Sequence, residues 1–592
     1  MIKKIFTILS VIPRVLFAAC FWGGIVFALC AAFYMSRSTE IKDHTVLDVR
    51  LDGLLVEGAE VDTPAGFESL MALAGMGKDV STPVESVVRA VDAAAKDPKI
   101  VALRLRMDDF VGTNLATVER LTKALEAFRQ TGKPIWVWRS AYGQNSYAIA
   151  MHATHISMPR MGAVRFTGVN FNTLYVGETL KTVGINVVTT RQRYKSALEP
   201  LLLSAPSKDN LAAQKYLGED FWGHYLSEVE RVRKLPAGKL SQSIETLEPL
   251  IQALNAGKTS GAFYKDLGLV DKLESREDFV KSLEETFSPT KKREDYRRVG
   301  LITYLHSLPE QGMSDANGVV VLTLSGEIGG SDDNLNARAV RRAVEDIEKD
   351  EKIKAVVLRI NSPGGSAEES DEIYSALATL KQKRPVVVSM GGFAASGGYW
   401  ISMAADKIVA SPFTITGSIG VFAFGFEAPE LLKRLKVGSG GYQSVETGIP
   451  VQGTAFSEQD RAFLSASVNN MYQHFLEHVA EHRGMSKEAV GKVAEGRVWT
   501  GTQAKERGLV DEVGGLDEAV RLAKNLAKLP ESAPVVYYDA SPSSMLQILK
   551  RMIGRGGARL ATQVLSSVFG LPAMKSENDV AVRLPSIPSE QP

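Results

Sequence analysis

Residues 391–422 read GGFAASGGYWISMAADKIVASPFTITGSIGVF. The stretch opens on small residues around a serine, Ala394-Ala395-Ser396-Gly397-Gly398. It continues in a segment predicted to be helical from Tyr399 to Ala405 and closes on a second glycine–serine turn, Gly417-Ser418-Ile419-Gly420. Small neighbours let another backbone come close to Ser396, and glycine relieves strain in a sharp turn. A serine at the first turn of a helix also stands beside unpaired N–H groups, which stabilise developing negative charge. These are the needs of a nucleophile. A buried packing turn would show the same small residues, so the motif alone does not decide between them.

Working outward, the surroundings of this stretch occur twice in the chain. Tyr399-Trp-Ile-Ser-Met403 has an earlier counterpart in Tyr147-Ala-Ile-Ala-Met151, and Leu358-Arg359-Ile360 in Leu103-Arg104-Leu105. Arg384-Pro385-Val386 answers to Lys133-Pro134-Ile135, and Gly508-Leu-Val-Asp511 to Gly268-Leu-Val-Asp271. The segment Ala343-Val344 before Lys349-Asp350-Glu351-Lys352-Ile353 likewise matches Ala90-Val91 before Lys96-Asp97-Pro98-Lys99-Ile100. The spacing stays between 240 and 255 residues, which marks the duplication of a whole domain rather than a short solenoid repeat.

Within the first copy, residues 46–51 alternate as a strand and Thr82–Lys96 has helical spacing. Ile100–Leu105 is a buried run, Leu115–Phe128 a second helix and Pro134–Trp138 a further strand. Strands alternating with helices of this length predict an α/β fold with a mostly parallel sheet. The first repeat is expected over 47–287 and the second over 318–540. The polar, proline-containing stretch 288–317 is expected as a linker between them.

Residues 15–35, VLFAACFWGGIVFALCAAFYM, form 21 uncharged positions, enough for a helix to cross the hydrocarbon core of a bilayer. Lys3, Lys4 and Arg14 precede them, whereas Arg37 and Lys42 beyond are offset by Glu40 and Asp43. The positive-inside rule therefore predicts a signal anchor over 1–46, with its N-terminus cytoplasmic and the bulk of the chain outside. The apolar, glycine-rich segment 63–77 is expected to rest near the membrane. The two cysteines, Cys20 and Cys30, both fall in the anchor, which leaves the remainder without disulfides or a thiol nucleophile. A formal net charge of +1 supplies no phosphate-binding field, so no nucleic-acid partner is expected.

The two copies differ where chemistry would sit. At an offset of 252 residues Ser396 aligns with Gln144, and Lys195, in Arg193-Tyr194-Lys195-Ser196-Ala197-Leu198-Glu199-Pro200, aligns with Thr447. One copy keeps a serine without the lysine, the other a lysine without the serine. The loop Asn361-Ser362-Pro363-Gly364-Gly365-Ser366 offers bare backbone N–H groups, one way to build an oxyanion hole. Its counterpart from Arg106 to Phe110 has lost both glycines. The first histidine downstream of the serine motif is His474, so a Ser-His-Asp set has no local support, although a partner distant in sequence stays open. A lysine can replace histidine as base if burial lowers its pKa. Two incomplete copies would make one site if the halves face each other.

Taken together, NSPGGS, FAASGGYW, TGSIGVF and YKSALEP, in a duplicated and N-terminally anchored chain, resemble the long form of the signal peptide peptidase A (protease IV) family of serine–lysine dyad peptidases. The resemblance runs from the anchor to about Tyr538. It implies tandem Clp-protease/crotonase-like domains behind one transmembrane helix, with Ser396 as nucleophile and Lys195 as general base. It further implies that Ser418 orients the lysine and that the N–H groups of Gly397 and of Gly365 in the Gly364-Gly365 pair form the oxyanion hole. It implies a homotetramer, without cofactor or metal, on the outer face of the bacterial inner membrane, held by the lipid bilayer and cutting released signal peptides. Residues 541–592 carry no matching motif and read as a basic amphipathic segment (Met545–Phe569) followed by a disordered tail.

Two other function classes share parts of this pattern: a crotonase-type acyl-CoA enzyme and a catalytically inactive membrane scaffold. A third signal is His474-Phe-Leu-Glu477-His478, followed by His482, which fits the H-x-x-E-H form of an inverted zinc-protease motif. Its helix also reads as amphipathic, with these histidines on the polar side, and a serine–lysine site needs no metal.

Overall fold

The computed structural model describes residues 41–58, 81–288, 296–308, 317–331, 334–442 and 453–540. The expected anchor, the apolar segment 63–77, Thr447 and residues 541–592 lie outside the described residues. Among the described residues no helix is long and apolar enough to cross a membrane.

β-Branched runs make the strands, and they assemble two parallel sheets of the same plan. In the first half the order is Lys272–Leu273, His155–Met158, Ile135–Trp138, Ile100–Arg106, Thr45–Arg50, Arg297–Gly300, every pair parallel. In the second it is Glu512–Val513, Lys407–Ala410, Val386–Ala395, Ile353–Ser362, Gly318–Ser325, Val535–Asp539, again parallel. Two more strands extend this sheet, Ile415–Gly417 parallel to the end of Val386–Ala395 and Val498–Thr500 antiparallel to Ile415–Gly417. Parallel sheets are covered on both faces, and the central strands are accordingly buried almost without interruption. In the second half Val320, Leu322 and Leu324 enter one core while Val319 and Val321 enter another beneath the helix Leu516–Leu526. Each such side chain contributes about 1.5–3 kcal/mol by leaving water.

The helices fall close to their sequence positions. The expected Thr82–Lys96 helix is Val84–Lys96, started by Pro83 in extended geometry. The one expected from Leu115 runs Leu115–Gln130 and is capped by Asn114, whose side chain accepts from Thr117 N. The expected linker needs a correction. Arg297–Gly300 is the edge strand of the first sheet, occupying the place that Val535–Asp539 takes in the second. The helix Leu301–Ser307 then buries Leu301, Tyr304 and Leu305 in the first core, and Tyr304 Oη donates to Asp97 Oδ2 at 3.0 Å. The first half therefore extends through about residue 308. Its last strand escaped notice because only Val299 of its four residues is buried.

The halves are joined by polar contacts. Arg359 donates to Glu57 from Nε (3.0 Å) and Nη2 (2.6 Å), while its Nη1 donates to Ser389 Oγ and Met390 O. Thr117 Oγ1 donates to the same Glu57 carboxylate at 2.6 Å. Both charges are buried, so their hydrogen bonds offset a desolvation cost of several kcal/mol per ion. Lys123–Glu518 and Arg120–Asp517 add half-exposed contacts along the same seam.

Candidate active site

Ser396 stands between the strand Val386–Ala395 and the helix Gly397–Ser402. Its backbone has φ +55° and ψ −119°, a conformation that costs on the order of 1–3 kcal/mol unless the surroundings impose it. They do. Ser396 N donates to Gly417 O at 2.9 Å, and Ser396 O accepts from Tyr399 N and Trp400 N. Strand Ile415–Gly417 lies parallel to the end of Val386–Ala395 with Ala395 opposite Gly417. Ser396 and Ser418 are thus the next residues of two adjacent parallel strands, and the two glycine–serine turns of the sequence meet in space.

The loop after Ile353–Ser362 backs onto the serine. Gly364 has φ +100°, and a Cβ there would come within 2.8 Å of Ser396 Cβ and 2.7 Å of Gly397 N. Gly365 has φ +155°, with Ile328 O 2.0 Å from where its Cβ would be. Neither position admits a side chain. Gly364 N donates to Ser362 Oγ at 3.2 Å. Among the described residues Gly365 N and Gly397 N have no protein acceptor.

Lys195 arrives from the other half. Strand Asn186–Arg191 pairs antiparallel with Phe422–Glu427, Asn186 opposite Glu427 and Arg191 opposite Phe422, so a ribbon across the seam carries the following residues to the serine. Val421 N donates to Gln192 Oε1, Tyr194 N to Glu495 O, and Arg191 Nη1 to Lys195 O. The Arg497 guanidinium covers the Tyr194 ring at 3.9 Å. Lys195 is 7% exposed, and its Nζ lies 2.7 Å from Ser418 Oγ and 3.4 Å from Ser396 Oγ. Burial alone pushes its pKa down to about 8, because a charged ammonium loses hydration there. Roughly one amine in ten is then neutral at pH 7, and the fraction grows as pH rises. The neutral amine can accept the Ser396 proton while Ser418 fixes its direction.

Sequence reasoning missed Gln192, Tyr194 and Gly496. Gly496 has φ +87°, and a Cβ on it would sit 2.5 Å from Lys195 Cγ. No motif marks Gln192 or Gly496, and Tyr194 enters YKSALEP only as the neighbour of the lysine, since the partners of all three lie in the other half. In the first half, Gln144 begins the helix Gln144–Ala150 at the place matching Ser396, and its Oε1 accepts from Thr167 N.

The expected H-x-x-E-H histidines do other work. His474 Nδ1 pairs with Glu477 at 3.4 Å on the exposed side of helix Glu458–Arg483. His478 stacks on Trp400 at 4.3 Å with Nε2 near Trp400 O, and burial pushes its pKa down to about 4. His482 Nε2 lies 2.8 Å from Tyr374 Oη. These groups do not converge on one point.

The family model described as peptidase family S49 matches residues 127–288 and 378–530, once in each half. That of Clp protease matches 323–414. The chain is 32% identical to Protease 4 of Salmonella typhi over 545 residues, 89% of this chain and 86% of that protein. It is also 32% identical to Protease 4 of Haemophilus influenzae over 528 residues, 86% and 84% respectively. A serine protease SPPA of Arabidopsis thaliana, chloroplastic, is 27% identical over 78% of this chain and 68% of that protein.

Proposed function

Because the chain belongs to peptidase family S49 and is a serine-type peptidase, we propose that Ser396 is its nucleophile and Lys195 its general base, a dyad assembled across the two halves. The observation that carries this assignment is the buried Lys195 Nζ between Ser418 Oγ and Ser396 Oγ, with no acidic group contributing to its lowered pKa.

Neutral Lys195 takes the proton as Ser396 Oγ attacks the substrate carbonyl. The Gly365 and Gly397 amides, free of protein acceptors, donate to the tetrahedral oxyanion. Gly364 N is already engaged by Ser362, which favours Gly365 for this role. The lysinium then protonates the leaving amine, and the again neutral Lys195 takes a proton from the water that hydrolyses the acyl-enzyme. Each oxyanion donor is worth about 2.7–4 kcal/mol in the transition state.

The substrates in this reading are released signal peptides, whose apolar cores run roughly 7–15 residues. Phe422, Phe424 and Phe426 support it: they are 37%, 45% and 46% exposed and alternate along the ribbon strand. The Phe422 ring centroid is 5.9 Å from Lys195 Nζ, so this apolar face starts at the dyad. Residues 15–35 anchor the enzyme in the inner membrane with the catalytic halves outside, and four copies assemble, as the sequence resemblance implies.

The test is hydrolysis of a hydrophobic peptide ester by the full chain in detergent. Ser396→Ala and Lys195→Ala are each expected to lower kcat by about 10⁴-fold or more with the fold intact by circular dichroism. If Lys195→Ala keeps wild-type turnover while Ser396→Ala is dead, the base lies elsewhere and the split dyad is wrong.

A further inference from the structure

A cluster in the first half has no part in this chemistry. Glu126 lies on helix Leu115–Gln130, Glu228 on helix Lys208–Arg233, and His152 just after helix Gln144–Ala150. One ligand atom from each falls within 4.8 Å of the others. His152 is 0% exposed, and neither ring nitrogen makes a hydrogen bond. Its Nδ1 is 3.2 Å from Glu126 Oε1, outside hydrogen-bond geometry. A buried imidazole left without partners costs about 1–3 kcal/mol for each unsatisfied group. It lines a cavity of about 230 Å³, together with both glutamates, Tyr225 and Phe413. The lining is mostly apolar apart from these charged and polar groups, and the space is large enough for water as well as an ion.

We propose that Glu126, His152 and Glu228 form a binding site for a divalent transition-metal ion of the zinc class. Two carboxylates balance a dication, and a neutral imidazole adds the nitrogen ligand that zinc takes and that magnesium and calcium sites, built from oxygen, do not need. Tetrahedral zinc bonds of ~2.0–2.2 Å place ligand atoms about 3.3–3.5 Å apart. The His152–Glu126 pair, at 3.2 Å, is already close to that spacing, and Glu228, on a partly exposed side chain, has the freedom to close. Water from the cavity completes the coordination.

Arg231 is the competing cation. Its Nη2 lies 2.7 Å from Glu126 Oε1 and 2.6 Å from Glu228 Oε1, and its side chain is 55% exposed. Its Nε also donates to Glu228 Oε2 at 2.7 Å, so a bound metal must displace a bidentate Arg231–Glu228 pair, and the ion's own bonds to the carboxylates have to outweigh that loss. Glu119 and Lys123, which also line the cavity, are held by Ser411 and Glu518 and do not join the site. The ion would tie three first-half elements beneath Phe413, whose ring packs on Phe221 at 5.3 Å.

The test uses the chelator-treated full chain in detergent, titrated with zinc chloride by calorimetry and followed by thermal unfolding. The chain carries His474→Ala so that this exposed histidine does not contribute. One zinc per chain is expected, with a rise in unfolding temperature and no response to magnesium. Glu228→Gln and His152→Asn are each expected to weaken binding at least tenfold, and Arg231→Gln to tighten it. X-ray absorption of the zinc form should show one imidazole in an otherwise oxygen shell. Absence of binding at 100-fold excess zinc, or binding that Glu228→Gln leaves unchanged, overturns the proposal and leaves a water-filled cavity. Glu228 is partly exposed, so its variant keeps the test decisive if His152→Asn does not fold.

Discussion

In the first half Tyr147 Oη donates to Leu269 O at 2.8 Å; in the second Tyr399 Oη donates to Leu509 O at the same distance. Asp271 accepts from Ile156 N and from Arg233, and Asp511 accepts from Ile408 N and from Arg483. Lys133 donates to Ala94 O and Asp97 O at the end of one helix, and Arg384 to Ile347 O and Asp350 O at the equivalent place. The buried bonds that tie helix to sheet have thus been kept in duplicate. What differs is the turn at the head of the helix: Ser396 in a strained backbone on one side, Gln144 bonded to Thr167 on the other. Losing a scaffold bond destabilises the half that carries it, whereas one site needs only one serine and one lysine. The comparison teaches that duplication preserved what each half needs to fold and divided what the pair needs to react.

That division can be broken at the seam. The largest expected effect is that of Glu57→Ala, which leaves Arg359 buried and unpaired; it should destabilise the protein by about 3–5 kcal/mol in chemical denaturation. A loss below 1 kcal/mol would show that the halves do not depend on this joint. Lys195→Met sharpens the comparison through its pH dependence. The lysine pKa is depressed from its usual 10.5 to about 8 in the folded protein, so the unfolded chain binds more protons between those values. Wild-type stability therefore rises with pH across that window, and below about pH 8 the full penalty of the buried ammonium applies. The methionine variant should be more stable at pH 7 by up to about 3 kcal/mol, less the lost bond to Ser418, and the advantage should fade toward pH 10.5. Wild-type turnover should rise with an apparent pKa near 8, and a flat profile from pH 7 to 9 would refute the lysine base.

Gly496→Ala places a methyl group against Lys195 Cγ and demands a left-handed alanine. Turnover should fall about 100-fold, with the fold unchanged, because the amine moves off its line to Ser396. The smallest effect is expected from Gln144→Ser. It restores a serine to the first half but supplies no second base, so Ser396→Ala/Gln144→Ser should be as inactive as Ser396→Ala alone.

Much of this was legible in the chain because the decisive residues come in local, low-volume motifs. Pro363-Gly364-Gly365 and Ala395-Ser396-Gly397 announce close backbone approaches, and reciprocal loss points to Lys195 without any structural knowledge. Legibility fails where a residue's meaning lies in a partner far along the chain. Arg297–Gly300 is an edge strand with one buried side chain, so its charged surroundings resemble a tether. Gly496 looks like any turn glycine until Lys195 is laid against it, and Glu57 like any surface acid until Arg359 reaches it. Glu126, His152 and Glu228 sit on three separate elements with no motif spacing. The H-x-x-E-H run has that spacing, but His474 and Glu477 pair with each other on the exposed side while His478 stacks on Trp400.

The ribbon that brings Lys195 to Ser396 also sets a clock on biosynthesis. The two residues are 201 positions apart. At a synthesis rate of ~5–20 residues per second, the serine is made about 10–40 s after the lysine. Until then the growing polypeptide has a base with nothing to activate. A hydrolase partnered in this way needs no inhibitory propeptide to protect the machinery that synthesises it.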